Sequence, residues 1–232
     1  IGTNVLNEAF LERFALTFEQ EYPTPKTEQK ILEKVASTVG KKDKEYKKEI
    51  KDFFGLKDND WYVCFFARDS YYDEKYRPKL VEDFEIRNMN INNFELAINF
   101  IVNQGGHVIR IGSNQKNKLN CADSNRIHDY AFNANKYEKM DVLINFYSKF
   151  IIGTGSGIID IGLINNIPLG LVNNHEYLYT QGINRGTFIP KIYYKEDNSI
   201  LTNNEYLDMV GRSKNMYFHL KKIKKLKLTV RD

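Results

Sequence analysis

FIIGTGSGIIDIG, residues 150–162, is the stretch that decides the fold. Phe150, Ile151 and Ile152 make a short apolar run that stops at Gly153. Thr154, Gly155, Ser156 and Gly157 are all small, and a second apolar segment opens at Ile158. This order reads as a buried strand, a tight turn and a helix N-terminus. Such a turn aims free backbone N–H groups and the positive end of a helix dipole at one point, where a phosphate is favoured. Its glycines let a ligand approach the backbone with no Cβ in the way. Plain α/β packing uses the same turn, so the surrounding segments must decide between the two readings.

Working outward, WYVCFFA (61–67) and HVIRIG (107–112) are apolar runs of strand length. RIHDYAF (126–132) reads as a short strand and PLGLVN (168–173) as the last clear one. FELAINFIVNQ is a helix closed by Gly105 and Gly106, EKMDVLINFYSK (138–149) is amphipathic, and SGIIDIGLINN is a helix. Apolar strands alternating with helices of this length predict βαβ units and a parallel sheet covered on both faces. The expected fold is therefore α/β, a Rossmann-like sheet flanked by helices over residues 58–232, preceded by a helical segment or linker over 1–57. Within that segment NEAFLERFALTFEQE ends at Pro23 and Pro25, and EQKILEKVASTV is expected to stop at Gly40. KKDKEYKKEIKDFFG then reads as a helix with a solvated charged face. The stretch RDSYYDEKYRPKLVEDFEIRN reads as a polar, Tyr-rich loop, and beyond Asn174 only a helix around Glu205–Arg212 stands out.

The chain has 232 residues, 42% hydrophobic and 28% charged, an ordinary globular composition. Its net charge of +4 arises mostly from Lys221, Lys222, Lys224, Lys225, Lys227 and Arg231. The remainder is close to neutral, which argues against a nucleic-acid surface. The basic tail could touch anionic lipid as a peripheral contact, or serve simply as a solvated helix. Cys64 sits in an apolar run as a core residue, and Cys121 lies in a polar loop. Free thiols of this kind fit a reducing, cytoplasmic compartment. No apolar stretch approaches the roughly 20 residues of a membrane span, and no signal peptide is visible. The chain begins at Ile1 rather than Met, which points to residues upstream. Two cysteines and four scattered histidines show no metal-ligand spacing, so no metal is expected.

Ligands of open parallel sheets bind at the carboxyl ends of the strands. Read together, those ends carry Arg68, Asp69, Ser70 and Tyr71, then Arg110, Gly112, Ser113 and Asn114. They continue with His128, Asp129 and Tyr130, then Thr154–Gly157, then Asn173 and Asn174. An arginine beside a helix N-terminus suits a diphosphate, because its planar fork binds two oxygens.

These motifs together resemble a bacterial family of glycosyltransferases of surface-carbohydrate synthesis. The resemblance rests on CFFARDSYY, NQGGHVIRIGS, HDYAF, MDVLINFYSKFIIGTGSG and IPLGLVNN, in that order, with LTFEQE as a lead-in. It runs from about Leu16 to Asn174. The layout is similar, more distantly, to the donor half of GT-B and fucosyltransferase-like enzymes. The resemblance implies that Arg68 and the Thr154, Gly155, Ser156, Gly157 turn hold the pyrophosphate of a nucleotide-sugar, with Asp129 or Tyr130 near the base or ribose. Gly112 and Ser113 join that nucleoside set, and Arg110 the phosphate set. It also implies a metal-independent transfer that needs no cofactor beyond the donor, with a carbohydrate or lipid-linked acceptor, at the cytoplasmic side of the membrane. One arginine of the family pattern falls in FEIRN (Arg87), without its usual His or Tyr neighbour. Residues 1–57 are too short to be a second Rossmann domain.

Each residue also has a plainer role. Arg68 could pair with Asp69 or a nearby Glu, and Arg110 with Asp129. Asp69 is the candidate general base on an acceptor hydroxyl, or a partner that holds Arg68. Ser156 is a helix N-cap by default. Asp141 is read as binding a neighbouring loop, His128 as a packing residue, and Tyr71 and Tyr72 as possible stacking surfaces. The alternative function is a non-catalytic nucleotide-sugar or phosphate-binding domain. A dinucleotide enzyme or phosphotransferase is disfavoured, because neither G-x-G-x-x-G after Phe66 nor a Walker loop occurs.

Overall fold

The computed structural model describes residues 25–113, 115–120, 124–174, 186–210 and 216–230. The first predicted helix, NEAFLERFALTFEQE, Cys121 and Asn114 lie outside them. Helix α1 runs over Pro25–Phe54 without a break. Gly40, the expected stop of EQKILEKVASTV, does not end it. A glycine costs about 1 kcal/mol against alanine in a helix interior, and the Lys- and Glu-rich flanks are good helix formers. Two compact units divide the chain, Ile1–Glu45 and Tyr46–Asp232. The larger unit begins at Tyr46 rather than residue 58, because Ile50 and Phe54 are buried in its core beside Tyr46, Phe53 and Leu56.

The sheet strands of this unit are β1 (Tyr62–Phe66), β2 (His107–Arg110), β3 (Ile127–His128), β4 (Ile151–Gly153), β5 (Leu169–Asn174) and β6 (Gly186–Pro190). They form one sheet in the order β3-β2-β1-β4-β5-β6, with every neighbouring pair parallel. This is the Rossmann-like arrangement, with its switch point between β1 and β4. Cys64 lies opposite Ile109 on one side and Ile151 on the other. Connecting helices are α2 (Tyr71–Tyr76), α3 (Val81–Phe84), α4 (Glu95–Asn103), α5 (Glu138–Phe146) and α6 (Gly157–Ile164).

Side chains alternate across a strand, so β1 feeds two cores. Cys64 and Phe66 enter the one that contains Ile50, Met140, Ile144 and Ile159. Val63 and Phe65 enter the other, against Phe94, Ile98 and Ile101. All five β1 residues are buried, which is why the strand reads as an unbroken apolar run. A fully buried Phe or Ile contributes about 2 kcal/mol in transfer terms. Cys64 donates its thiol to Ile144 O at 3.3 Å, and burial pushes its pKa up, so it is a core residue.

Two features close the sheet around its centre. A Cβ on Gly153 would lie 2.7 Å from Phe66 O, so β4 approaches β1 there as only glycine permits. A Cβ on Gly162 would meet Ile151 Cδ1 at 2.3 Å, which seats α6 directly on β4.

Past β5 the structure adds strands the sequence did not announce, around the helix expected near Glu205. Sheet strand β6 pairs with β5, and a small antiparallel pair joins β7 (Tyr193–Tyr194) to β8 (Thr229–Val230). Helices α7 (Asn203–Val210) and α8 (Met216–Lys225) complete this part. Tyr193, Leu201, Tyr206 and Ile223 form its own small core. The basic tail thus includes a helix, in which Ile223 is buried and Lys224 pairs with Asp83 at 2.6 Å.

His107 and His128 stack where β2 meets β3, with Nδ1 of His107 3.1 Å from Nε2 of His128. His107 also faces Asp60 at 3.4 Å, and Phe54 lies edge-on to His128. Burial, then the neighbouring His107, pushes His128 from 6.5 down to about 4. The unfolded chain therefore takes up this proton first as pH falls. Its contribution is complete above about pH 6.5 and is lost between there and about pH 4. After solvent screening at this half-buried site the loss is about 2 kcal/mol. Urea unfolding at pH 7 and pH 4.5 should show that loss in the parent protein and a smaller one in His128→Gln. Equal losses would remove His128 from the cause.

Candidate functional site

At the switch point the ends of β1 and β4 are tied together. Thr154 N donates to Phe66 O at 3.1 Å, and Arg68 N donates to Thr154 Oγ1 at 2.8 Å. Thr154 is buried, so its hydroxyl serves this tie. Gly155 lies against the side chain of Asn174, whose Oδ1 would be 3.4 Å from a Cβ placed there. Asn173 adopts φ +53° where the β5–β6 register shifts, an irregularity that re-aims the strand end. Ser156 is the N-cap of α6 in extended conformation, yet its side chain makes no capping hydrogen bond. A Cβ on Gly157 would meet nothing within 4 Å. The space beside Gly157 is therefore open, and the Ser156 hydroxyl next to it is not used in capping.

Arg68 lies next to this turn, and its guanidinium pairs with Asp73. Asp73 is 1% exposed, and its other oxygen forms an ion pair with Arg77 Nη2, 2.8 Å away, without hydrogen-bond geometry. Arg68, Arg77 and Arg87 place their guanidinium carbons 5.6, 5.2 and 5.3 Å from the centroid of the buried Phe84 ring. Met89 N donates to Arg68 O at 2.9 Å, which anchors the segment carrying Arg87 to the end of β1. The predicted Tyr-rich loop is therefore a chain of single-turn helices that converge on Phe84. Asp73 and Arg77 escaped the sequence reading; their i, i+4 spacing in α2 and its C-cap was the available signal.

Arg110 is almost fully buried. It donates to Asn117 O, to Asp129 Oδ2 at 3.3 Å and to Gln115 Oε1 at 3.3 Å, and lies 5.3 Å from the Phe132 centroid. Burial lowers its pKa, against the opposing pull of Asp129. Asp129 also accepts Leu119 N at 2.9 Å. As placed, Arg110 and Asp129 organise the loop after β2, the plainer of the roles read for Arg110. Asp69 accepts Tyr71 N at 3.0 Å through one oxygen and Lys116 N at 2.6 Å through the other. It therefore starts α2 and pins the same loop, and it does not pair with Arg68.

Gly112, at φ +129°, gives its carbonyl to Lys136, which also donates to Ser113 Oγ at 2.8 Å. Lys136 pairs with Asp141 at 3.1 Å, so Asp141 supports the loop through a lysine. Tyr130 corrects the sequence reading. Its side chain is in the core beside Phe53 and Phe54, and its hydroxyl is bound by the backbone of Tyr137. A side chain so enclosed packs the fold and does not face a nucleoside. RIHDYAF likewise holds only two strand residues, followed by a 3-10 turn at Tyr130–Phe132.

A cleft of about 900 Å³ opens beside the switch point. Asp69, Ser70, Asn88 and Lys191 line it on the sheet side, facing Ile223 and Leu228. Lys116 to Glu74, at 2.5 Å, and Lys224 to Asp83, at 2.6 Å, join side chains of the lining. Thr154–Gly157 are not among the lining residues, so the turn and the cleft are separate features.

The sequence matches no known protein-family model, and no curated protein matches it. Among solved structures the chain is similar to a glycosyl transferase family 9 protein from Veillonella parvula DSM 2008, at 10% identity and a TM-score of 0.41. The match covers 77% of this chain and 48% of the other, so the chain spans about half of that relative's length. Among the described residues no helix is long and apolar enough to cross a membrane, and no group of three or more His, Cys, Asp or Glu could hold a metal ion.

Proposed function

We propose that this chain carries the donor side of a glycosyltransferase that uses a nucleotide-sugar. The observation that carries the reading is the open N-terminus of α6 at the switch point, with the Ser156 hydroxyl uncommitted to capping. Amides of Gly155, Ser156 and Gly157 would donate to the diphosphate oxygens, with Arg68 adding positive charge and Thr154 holding the turn. The nucleoside would lie over the loop built by Gly112, Ser113 and Asp129, which Arg110 braces.

The acceptor, a carbohydrate or lipid-linked saccharide, would enter by the cleft, where Asp69 lines the wall. Asp69 would take the proton of the acceptor hydroxyl as its oxygen bonds to the anomeric carbon. The bond from that carbon to the phosphate oxygen would break, and the diphosphate would leave with the electron pair. This scheme requires no metal. The basic helix α8 would give peripheral contact with an anionic membrane surface if the acceptor is lipid-linked.

A thermal-shift screen against UDP, GDP, CMP and ADP and their sugars tests the reading. One base should raise the unfolding midpoint by several degrees at millimolar ligand. A flat response to every nucleotide would sink it. A second reading, a binding domain without turnover, is favoured by one observation. Both Asp69 oxygens already accept backbone N–H bonds, which commits the carboxylate to holding α2 and the loop after β2. Nucleotide binding with no product from any acceptor would select that reading.

A further inference from the structure

Sequence position scatters Arg68, Arg77 and Arg87 over the segment after β1, and the fold gathers them on one ring. Three guanidinium carbons lie within 5.6 Å of the Phe84 centroid. Phe84 is fully buried, so the ring is a fixed platform against which the planar groups lie. Asp73 is the carboxylate that pairs with two of them. The four side chains thus carry a formal charge of +2 at neutral pH. The Nε atoms of Arg68 and Arg77 are buried and have no hydrogen-bond partner among the described residues. Buried donors without acceptors are costly, at about 1–3 kcal/mol each.

The backbone of Arg68 is hydrogen-bonded to Thr154 of the glycine turn, while its side chain belongs to the ring cluster. Arg68 therefore links the two features. We propose that Arg68, Arg77 and Arg87 form an anion subsite for phosphoryl groups. Asp73 is the internal counter-ion that holds the cluster in register and that a bound phosphate competes with. Under the donor reading above, on which this assignment of the ligand rests, the subsite takes one phosphate of the diphosphate and the glycine turn takes the other. Guanidinium forks bind phosphate oxygens in pairs, so lysine should substitute poorly.

Calorimetric titration with inorganic pyrophosphate, then with the best nucleoside diphosphate, tests this in the full chain. Arg77→Gln and Arg87→Gln should each weaken pyrophosphate about tenfold, and the Lys variants should recover less than a third of that loss. Asp73→Asn should bind pyrophosphate several-fold more tightly, a gain that a purely structural cluster would not give. Should Asp73→Asn fail to fold, the two arginine variants still decide. Parent-like pyrophosphate binding in both Gln variants, or no pyrophosphate binding by the parent protein, overturns the subsite. If those variants also leave nucleoside diphosphate binding intact while Ser156→Asp weakens it, the donor reading survives alone. Loss of pyrophosphate in the Gln variants, with no nucleotide bound better than pyrophosphate, upholds the subsite and defeats the donor reading.

Discussion

Ser156→Asp is expected to leave the protein as stable as the parent and to weaken nucleoside diphosphate binding about thirtyfold. Aspartate is as good an N-cap as serine, and its charge is favoured at a helix N-terminus. The parent Ser156 makes no capping hydrogen bond, so nothing in the fold is lost. The same carboxylate would stand where the proposed diphosphate sits. Two unit charges about 4 Å apart repel by about 4 kcal/mol at the effective dielectric of a protein surface. Salt and rearrangement should leave about half of that, which is about thirtyfold in affinity. Chemical denaturation and calorimetry on the same sample separate the two effects. An unchanged affinity with an intact fold would place the diphosphate elsewhere.

Gly153→Ala should destabilise the protein by about 3 kcal/mol, about 10 °C in midpoint for a chain of this size. The added Cβ would lie 2.7 Å from Phe66 O and 3.2 Å from Phe66 Cβ. A backbone carbonyl in a paired strand cannot step aside as a flexible side chain can. The cost is steric, arising where β1 and β4 approach, and the hydrogen bond from Thr154 N to Phe66 O should lengthen with it. Gly157→Ala is the matched control. Its Cβ enters open space, so the variant should stay within about 0.5 kcal/mol of the parent. Urea unfolding of the pair checks this, and equal stabilities would mean that the two strands are further apart than described.

How legible each part was followed from burial and length. WYVCFFA and FIIG read as strands because parallel strands covered on both faces carry apolar residues at every position. The edge strand β6 did not, since three of its five residues are exposed and Gly186 and Pro190 bound it. Helices α2 and α3, of six and four residues, are too short for a 3.6-residue period to show. Their stretch was therefore read as loop, although it carries the densest group of arginines near the proposed site. Tyr130 misled for the opposite reason. Its position after a strand suggested the ligand rim, but the strand is only two residues long and the chain turns Tyr130 into the core.

The alternating βαβ order, the buried central strands and the glycine turn before α6 are legible in the chain alone. These are local consequences of apolar period and of residues lacking side chains, so they survive translation from a string. Packing in three dimensions makes β1 and β4 neighbours, which turns that loop into a switch-point feature. It also decided that Arg87 lies on Phe84 with Arg68 and Arg77, and that Arg110 belongs to Asp129 and its loop. Those pairings depend on where Phe84 and the loop after β2 are packed. Contacts between residues distant in the chain follow from that packing and leave no mark in a local pattern.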